Sequence, residues 1–188
     1  MTHLRVISGS ARGRKLKMVP GNATRPISDR VKEALFNILS SDIPGCLFLD
    51  LFAGTGSVGI EALSRGASFV RFIDHSMTAV KTINQNLEIT GLEKNAEVLH
   101  SDAFEWISNL PDQMFDYVYI APPQYLGLWG RMLLTLDESP DWLLEDGWII
   151  VQIDPKEYDQ LTLQNYSEFD QRRYGNTSLI FYERVPAT

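Results

Sequence analysis

The sequence predicts a doubly wound α/β fold: a mainly parallel sheet between helices, preceded by a basic β-hairpin and closed by an antiparallel hairpin. Three observations carry this. From residue 46 onward, short apolar runs alternate with helical patterns at the spacing of βα units. Cys46-Leu47-Phe48-Leu49 and Tyr117-Val118-Tyr119-Ile120 are nearly continuously apolar, as strands covered on both faces must be. Towards residue 188, two strand-like stretches, 170–174 and 178–183, flank Gly175-Asn176, a hairpin signal.

The elements follow in order. Residues 3–8 and 15–19 alternate as two short strands around the polar turn Gly9-Ser10-Ala11-Arg12-Gly13-Arg14. Ser28 can cap a helix in which Val31, Ala34, Leu35, Ile38 and Leu39 recur at helical spacing, and Pro44-Gly45 ends that section. Beyond it, strands are expected at 46–51, 68–74, 96–100, 115–120 and 147–153. Helices are expected at 57–65, 76–90, 102–109 and 128–145, the last interrupted by Ser139-Pro140.

The composition is that of a globular domain. The chain has 188 residues, 44% hydrophobic and 22% charged, enough to build one core without staples. The lone cysteine, Cys46, rules out a disulfide framework and reads as a small buried hydrophobe. No apolar run reaches the length of a membrane span, and the N-terminus lacks the apolar segment of a secretory signal; a cytoplasmic monomer is expected. His3, His75 and His100 lack metal-ligand spacing, so no metal is expected.

Charge is unevenly placed. The first 32 residues hold Arg5, Arg12, Arg14, Lys15, Lys17, Arg25, Arg30 and Lys32 against Asp29 alone, on a chain of net charge −7. A basic end on an acidic body can hold a polyanion at one place and repel it elsewhere. A merely solvated tail would not need the apolar positions Leu4, Val6, Leu16 and Met18.

The sharpest motif is Asp50-Leu51-Phe52-Ala53-Gly54-Thr55-Gly56-Ser57-Val58-Gly59, which follows a buried strand and opens a helix. Its glycines let backbone approach a ligand, at the sheet edge where such folds bind. It fits the dinucleotide fingerprint, and Asp74 lies at the usual distance beyond it. Asp50 argues for another ligand, because a carboxylate beside the loop repels a pyrophosphate and attracts the ammonium and sulfonium of S-adenosylmethionine. At an effective dielectric near 20, unit charges about 4 Å apart interact by roughly 4 kcal/mol. Asp74 can accept from ribose hydroxyls and Asp102 from an adenine amine, although each is also a natural helix cap. The expected cofactor site is Asp50, Phe52, Ala53, Gly54, Gly56, Asp74, Asp102 and Ala103. The fourth strand runs into Ala121-Pro122-Pro123-Gln124-Tyr125, where two prolines fix a rigid loop and leave carbonyls for a ligand. Tyr125 is placed to stack on a base, with Trp129 close behind.

These motifs resemble the bacterial small-subunit rRNA guanine-N2 methyltransferases, the RsmD family, across nearly the whole chain. The resemblance rests on Arg5-Val6-Ile7-Ser8-Gly9, Arg12-Gly13-Arg14-Lys15-Leu16, Arg25-Pro26, the run from Asp29 to Leu39, the glycine motif through Ala67, and Tyr174-Gly175-Asn176-Thr177. It implies a Rossmann-like class I methyltransferase with a seven-stranded sheet, using S-adenosylmethionine to methylate a guanine of 16S rRNA in the small ribosomal subunit or its precursor. It divides the chain into a basic arm, residues 1–24, and a methyltransferase domain, 25–188. Arg5, Arg12, Arg14, Lys15, Arg25 and Arg30 would bind RNA, the segment from Arg25 to Lys32 gripping phosphate, while Ala121, Pro122, Pro123, Gln124 and Tyr125 form the catalytic loop. That loop departs from the usual Asp-Pro-Pro followed by Tyr or Phe. Ala121 stands in the acid's place and Gln124 in the aromatic's, so Gln124 is a candidate substitute acceptor. Two alternatives stay open: an RNA-binding assembly factor without chemistry, and an NAD-dependent oxidoreductase.

Overall fold

The computed structural model describes residues 4–21 and 26–186. A single seven-stranded sheet runs through the chain: β1 (Leu47–Leu51), β2 (Phe69–Asp74), β3 (Ala96–His100), β4 (Phe115–Ile120), β5 (Leu143–Ile153), β6 (Tyr166–Tyr174) and β7 (Thr177–Arg184). The strand order is β3-β2-β1-β4-β5-β7-β6. The first five strands are parallel, and β7 enters antiparallel between β5 and β6. The order reverses beside β1, which puts the glycine loop and the Ala121 loop next to each other at the carboxyl edge, where α/β sheets bind ligands.

Helices α1 (Asp29–Leu39), α2 (Ser57–Ser64), α3 (Met77–Thr90), α4 (Ala103–Ile107) and α5 (Leu128–Glu138) pack on the two faces. Phe48, Phe72, Tyr119 and Ile150 join Leu35 and Ile83 in one core. Leu49, Val118 and Ile149 join Ile107 and Leu133 in the other. Strand residues alternate between these cores because side chains point to opposite faces. Ser28 caps α1 by accepting the Val31 N–H, as the sequence predicts. None of these helices is long and apolar enough to cross a membrane. Cys46 is buried, and burial, with the Asp116 charge adding, pushes its thiol up to about 12.

The structure departs from the sequence reading in three places. The long fourth helix ends at Glu138, and Pro140 opens a short 3-10 turn that leads into β5 at Leu143. β6 begins at Tyr166 rather than 170; its residues are mostly exposed, so no core face imposes an alternation. The N-terminal hairpin is reduced to one bridge, Arg5 to Lys15. The Val6, Gly13 and Leu16 amides still donate across the hairpin, to the Arg14, Val6 and Leu4 carbonyls, while others are spent on α2: Ile7 and Ser8 donate to Glu61 at 2.8 and 3.0 Å, and Ala11 donates to Ser64 Oγ at 2.9 Å. Gly9 comes so close that a Cβ would overlap the Ser64 carbonyl. Leu4, Val6, Ala11 and Leu16 complete the core on this face.

Candidate active site

A cleft of about 650 Å³ opens at the carboxyl edge of β1, β2 and β4. Asp50 closes its floor. Asp50 is buried, and its Oδ2 accepts the Gly59 N–H at 3.1 Å. That contact is possible because Gly59 lies against the Phe72 ring, where a Cβ would meet the ring at 2.3 Å. Among the described residues no cationic side chain pairs with Asp50, and burial holds its carboxyl well above the usual carboxylate range. Asp74 ends β2 and accepts from Gly54 and Ser76 N–H, each at 2.8 Å, so it shapes the glycine loop while facing the cleft.

The Ala121 loop forms the opposite wall. Ala121, Pro122, Pro123 and Gln124 all line the cleft. Tyr125 does not. Its φ of 62° turns it outward, its phenol donates to Asp154 at 2.7 Å, and its N–H donates to Glu157 at 2.6 Å. The expected stacking residue is therefore a clamp that ties the loop to the end of β5. Trp129 is buried and stacks on Tyr158 in the core.

Of the expected cofactor residues, Asp50, Phe52, Ala53, Gly54 and Asp74 line the cleft. Gly56, Asp102 and Ala103 are not among the lining residues. Gly56 sits at the start of α2, and Asp102 caps α4 through the Phe104 and Glu105 amides. Sequence reasoning missed His75, Thr78, Pro20 and Gln152, all in the wall. His75 was legible as the neighbour of Asp74. Gln152 gave no signal, lying inside an apolar strand run.

A second cavity of about 330 Å³ adjoins the first and shares Pro26, Ile27, Gln124 and Gln152 with it. Its far wall is the β6–β7 turn, Tyr174 to Thr177. Arg12, Arg14, Lys15 and Arg30 are exposed; Arg5 is exposed and pairs with Asp29 at 2.9 Å. Arg25 lies outside the described residues. Lys32 cannot reach a phosphate: it is fully buried, donates to the Arg5 carbonyl at 2.6 Å and faces Glu61. Burial lowers its pKa despite that carboxylate.

The family described as "Conserved hypothetical protein 95" matches residues 4–183. The chain belongs to this family. It is 37% identical over 183 residues to YlbH of Bacillus subtilis, covering 96% of this chain and 99% of YlbH. It is 34% identical to ribosomal RNA small subunit methyltransferase D of Haemophilus influenzae, covering 96% and 93%. The solved structure of yhhF from Escherichia coli superposes with a TM-score of 0.86 at 31% identity, covering 97% of this chain and 98% of that one. SMU.776, solved in complex with SAH, shares the fold alone, with a TM-score of 0.66 at 16% identity over 83% of this chain and 48% of that one. The Rossmann-like α/β architecture of this family is thus common to methyltransferases that differ widely in sequence.

Proposed function

We propose that this protein is an S-adenosylmethionine-dependent rRNA methyltransferase acting on N2 of a guanine in the small ribosomal subunit or its precursor. The observation that carries the reading is Asp50, a buried carboxylate in the cleft with no cationic side chain beside it among the described residues. A cationic ligand favours the ionised carboxylate and becomes its counter-charge, whereas a pyrophosphate would be repelled by it. Asp50 and Asp74 would hold the cofactor, with Phe52, Ala53 and Gly54 bounding its chamber. S-adenosylmethionine supplies an electrophilic methyl group on its sulfonium.

The chain's own residues orient the acceptor. The lone pair of a guanine N2 is delocalised into the ring, so its hydrogens must be held to aim it. Ala121 offers its carbonyl and Gln124 its side-chain oxygen, both on the cleft wall. Pro122 and Pro123 hold that wall rigid, and the Tyr125 clamp fixes its far end. The names carried by the curated relatives support the rRNA substrate, and the exposed basic arm supports phosphate contact.

Single-turnover transfer of labelled methyl to small-subunit particles and their precursors tests this, beside calorimetric titration with S-adenosylmethionine and NAD. Transfer with S-adenosylmethionine binding is expected. Cofactor bound without transfer to any particle or RNA would leave only an RNA-binding factor.

A further inference from the structure

Gln152 stands where the two cavities meet. In β5 it lies two residues beyond Ile150, which pairs in register with Tyr119 of β4, itself opposite Asp50 of β1. All four therefore share one face of the sheet. The Tyr119 phenol is buried and donates to Gln152 Oε1 at 2.5 Å. Burial, with the Asp50 charge adding, raises the phenol's pKa, and its hydroxyl points at the Gln152 amide oxygen. Gln152 Nε2 then faces the other way. It makes no hydrogen bond among the described residues and is not sealed from solvent.

The second cavity is at the small end of the size range of ligand sites, fit for one planar base and too small for another cofactor. Its walls offer Val31 and Ile27 as apolar surface and the Tyr174 turn as a lip. An RNA base reaches such a chamber only when drawn out of its stack. The Gln124 oxygen and the Ala121 carbonyl can accept hydrogens from an exocyclic amine, and Gln152 adds two hydrogens to give.

We infer that Gln152 reads the target base, its amide N–H donating to the ring acceptor beside the exocyclic amine of a purine held in the second cavity. For a guanine presented by N2, that acceptor is N3, because N1 on the other side carries a hydrogen and is refused. The inference rests on the methyltransferase reading and adds a residue that recognises the ring edge beside the reacting amine.

Two variants separate this from a structural role. Gln152→Glu keeps an oxygen for the Tyr119 hydroxyl but has no hydrogen to give; Gln152→Leu loses both. Both are expected to slow single-turnover methyl transfer to small-subunit particles by about tenfold or more, measured at saturating S-adenosylmethionine so that any change in cofactor affinity is removed from the rate. In the wild type, guanosine 5′-monophosphate added with S-adenosylhomocysteine is expected to shift the Gln152 side-chain amide resonances, and uridine 5′-monophosphate to leave them in place. Wild-type rates in Gln152→Glu, or amide resonances unmoved by the guanine nucleotide, overturn the inference. A wild type that binds cofactor and transfers nothing overturns the methyltransferase reading instead.

Discussion

Asp50 links the sequence to the chemistry at the scale of one side chain. Its folded-state pKa is raised by burial, so the folded protein holds a proton that the unfolded chain has already released. Stability is therefore full below the ordinary carboxylate pKa and is lost as pH rises through the raised one. Urea unfolding between about pH 4 and pH 8 should show that decline, and Asp50→Asn should flatten it. An equal slope in the variant would assign the effect elsewhere. If Asp50 faces the cofactor as proposed, cofactor affinity should rise with pH, since a cationic ligand favours the ionised form. Ala121 poses a second residue-scale question. If the missing acid limits the rate, Ala121→Asp should raise methyl transfer; if Gln124 has taken over, that change should do little and Gln124→Ala should be severe. Single-turnover rates decide between them. Asp50, Gly54 and Asp74 were legible because strand-end acids and glycines advertise themselves. Tyr125 faces away from the cleft, which sequence could not show, because it gives a residue's chemistry but not its direction. Tyr125 turns out through a positive φ, and Asp102 caps α4 through Oδ1 alone, which accepts from two helix amides.

At the scale of elements, the N-terminal segment is docked rather than free. Glu61 of α2 receives two arm amides, the Arg65 guanidinium at 2.8 Å and the Lys32 ammonium at 3.7 Å, with its side chain fully buried. Removing it strands Lys32 as a buried charge. Glu61→Ala is expected to cost roughly 3–5 kcal/mol of stability, read from the urea midpoint. It should also loosen residues 5–16, read as faster amide exchange there. Retained stability with slow exchange would show that the apolar contacts of Leu4, Val6 and Leu16 hold the arm unaided. The hairpin pattern was visible in the sequence, but its partner was not: alternation shows which residues are buried and says nothing of whether their amides pair with a strand or a helix. β1 and β4 were placed to within a residue because two-sided burial makes them nearly continuous apolar runs. β6 was cut short because most of its residues are exposed and leave no pattern.

On the whole molecule, charge is segregated: exposed Arg12, Arg14 and Lys15 stand on an acidic body. Replacing those three with Ala should weaken RNA binding and reduce its dependence on log salt by about 0.7 per lost contact for single strands. S-adenosylmethionine affinity should not change. A salt slope equal to that of the wild type would show that these side chains do not touch phosphate. The seven-stranded sheet followed from the resemblance, and the structure agrees with it. The cavity pair did not follow, because it depends on how the Pro26 segment, the Ala121 loop and the β6–β7 turn meet across regions distant in sequence.

The position of β7 has a consequence for how the protein is made. Among the described residues β6 pairs with no strand but β7, and β7 also covers the open edge of β5 with the buried Leu179, Ile180, Phe181 and Tyr182. A nascent chain halted before residue 177 carries β5 as a bare edge and β6 as an unpaired ribbon, both prone to pairing with a neighbour. The same stretch brings Thr177 to the wall of the second cavity. An unfinished polypeptide thus lacks part of that wall, and translation must pass the final hairpin before the chamber can close.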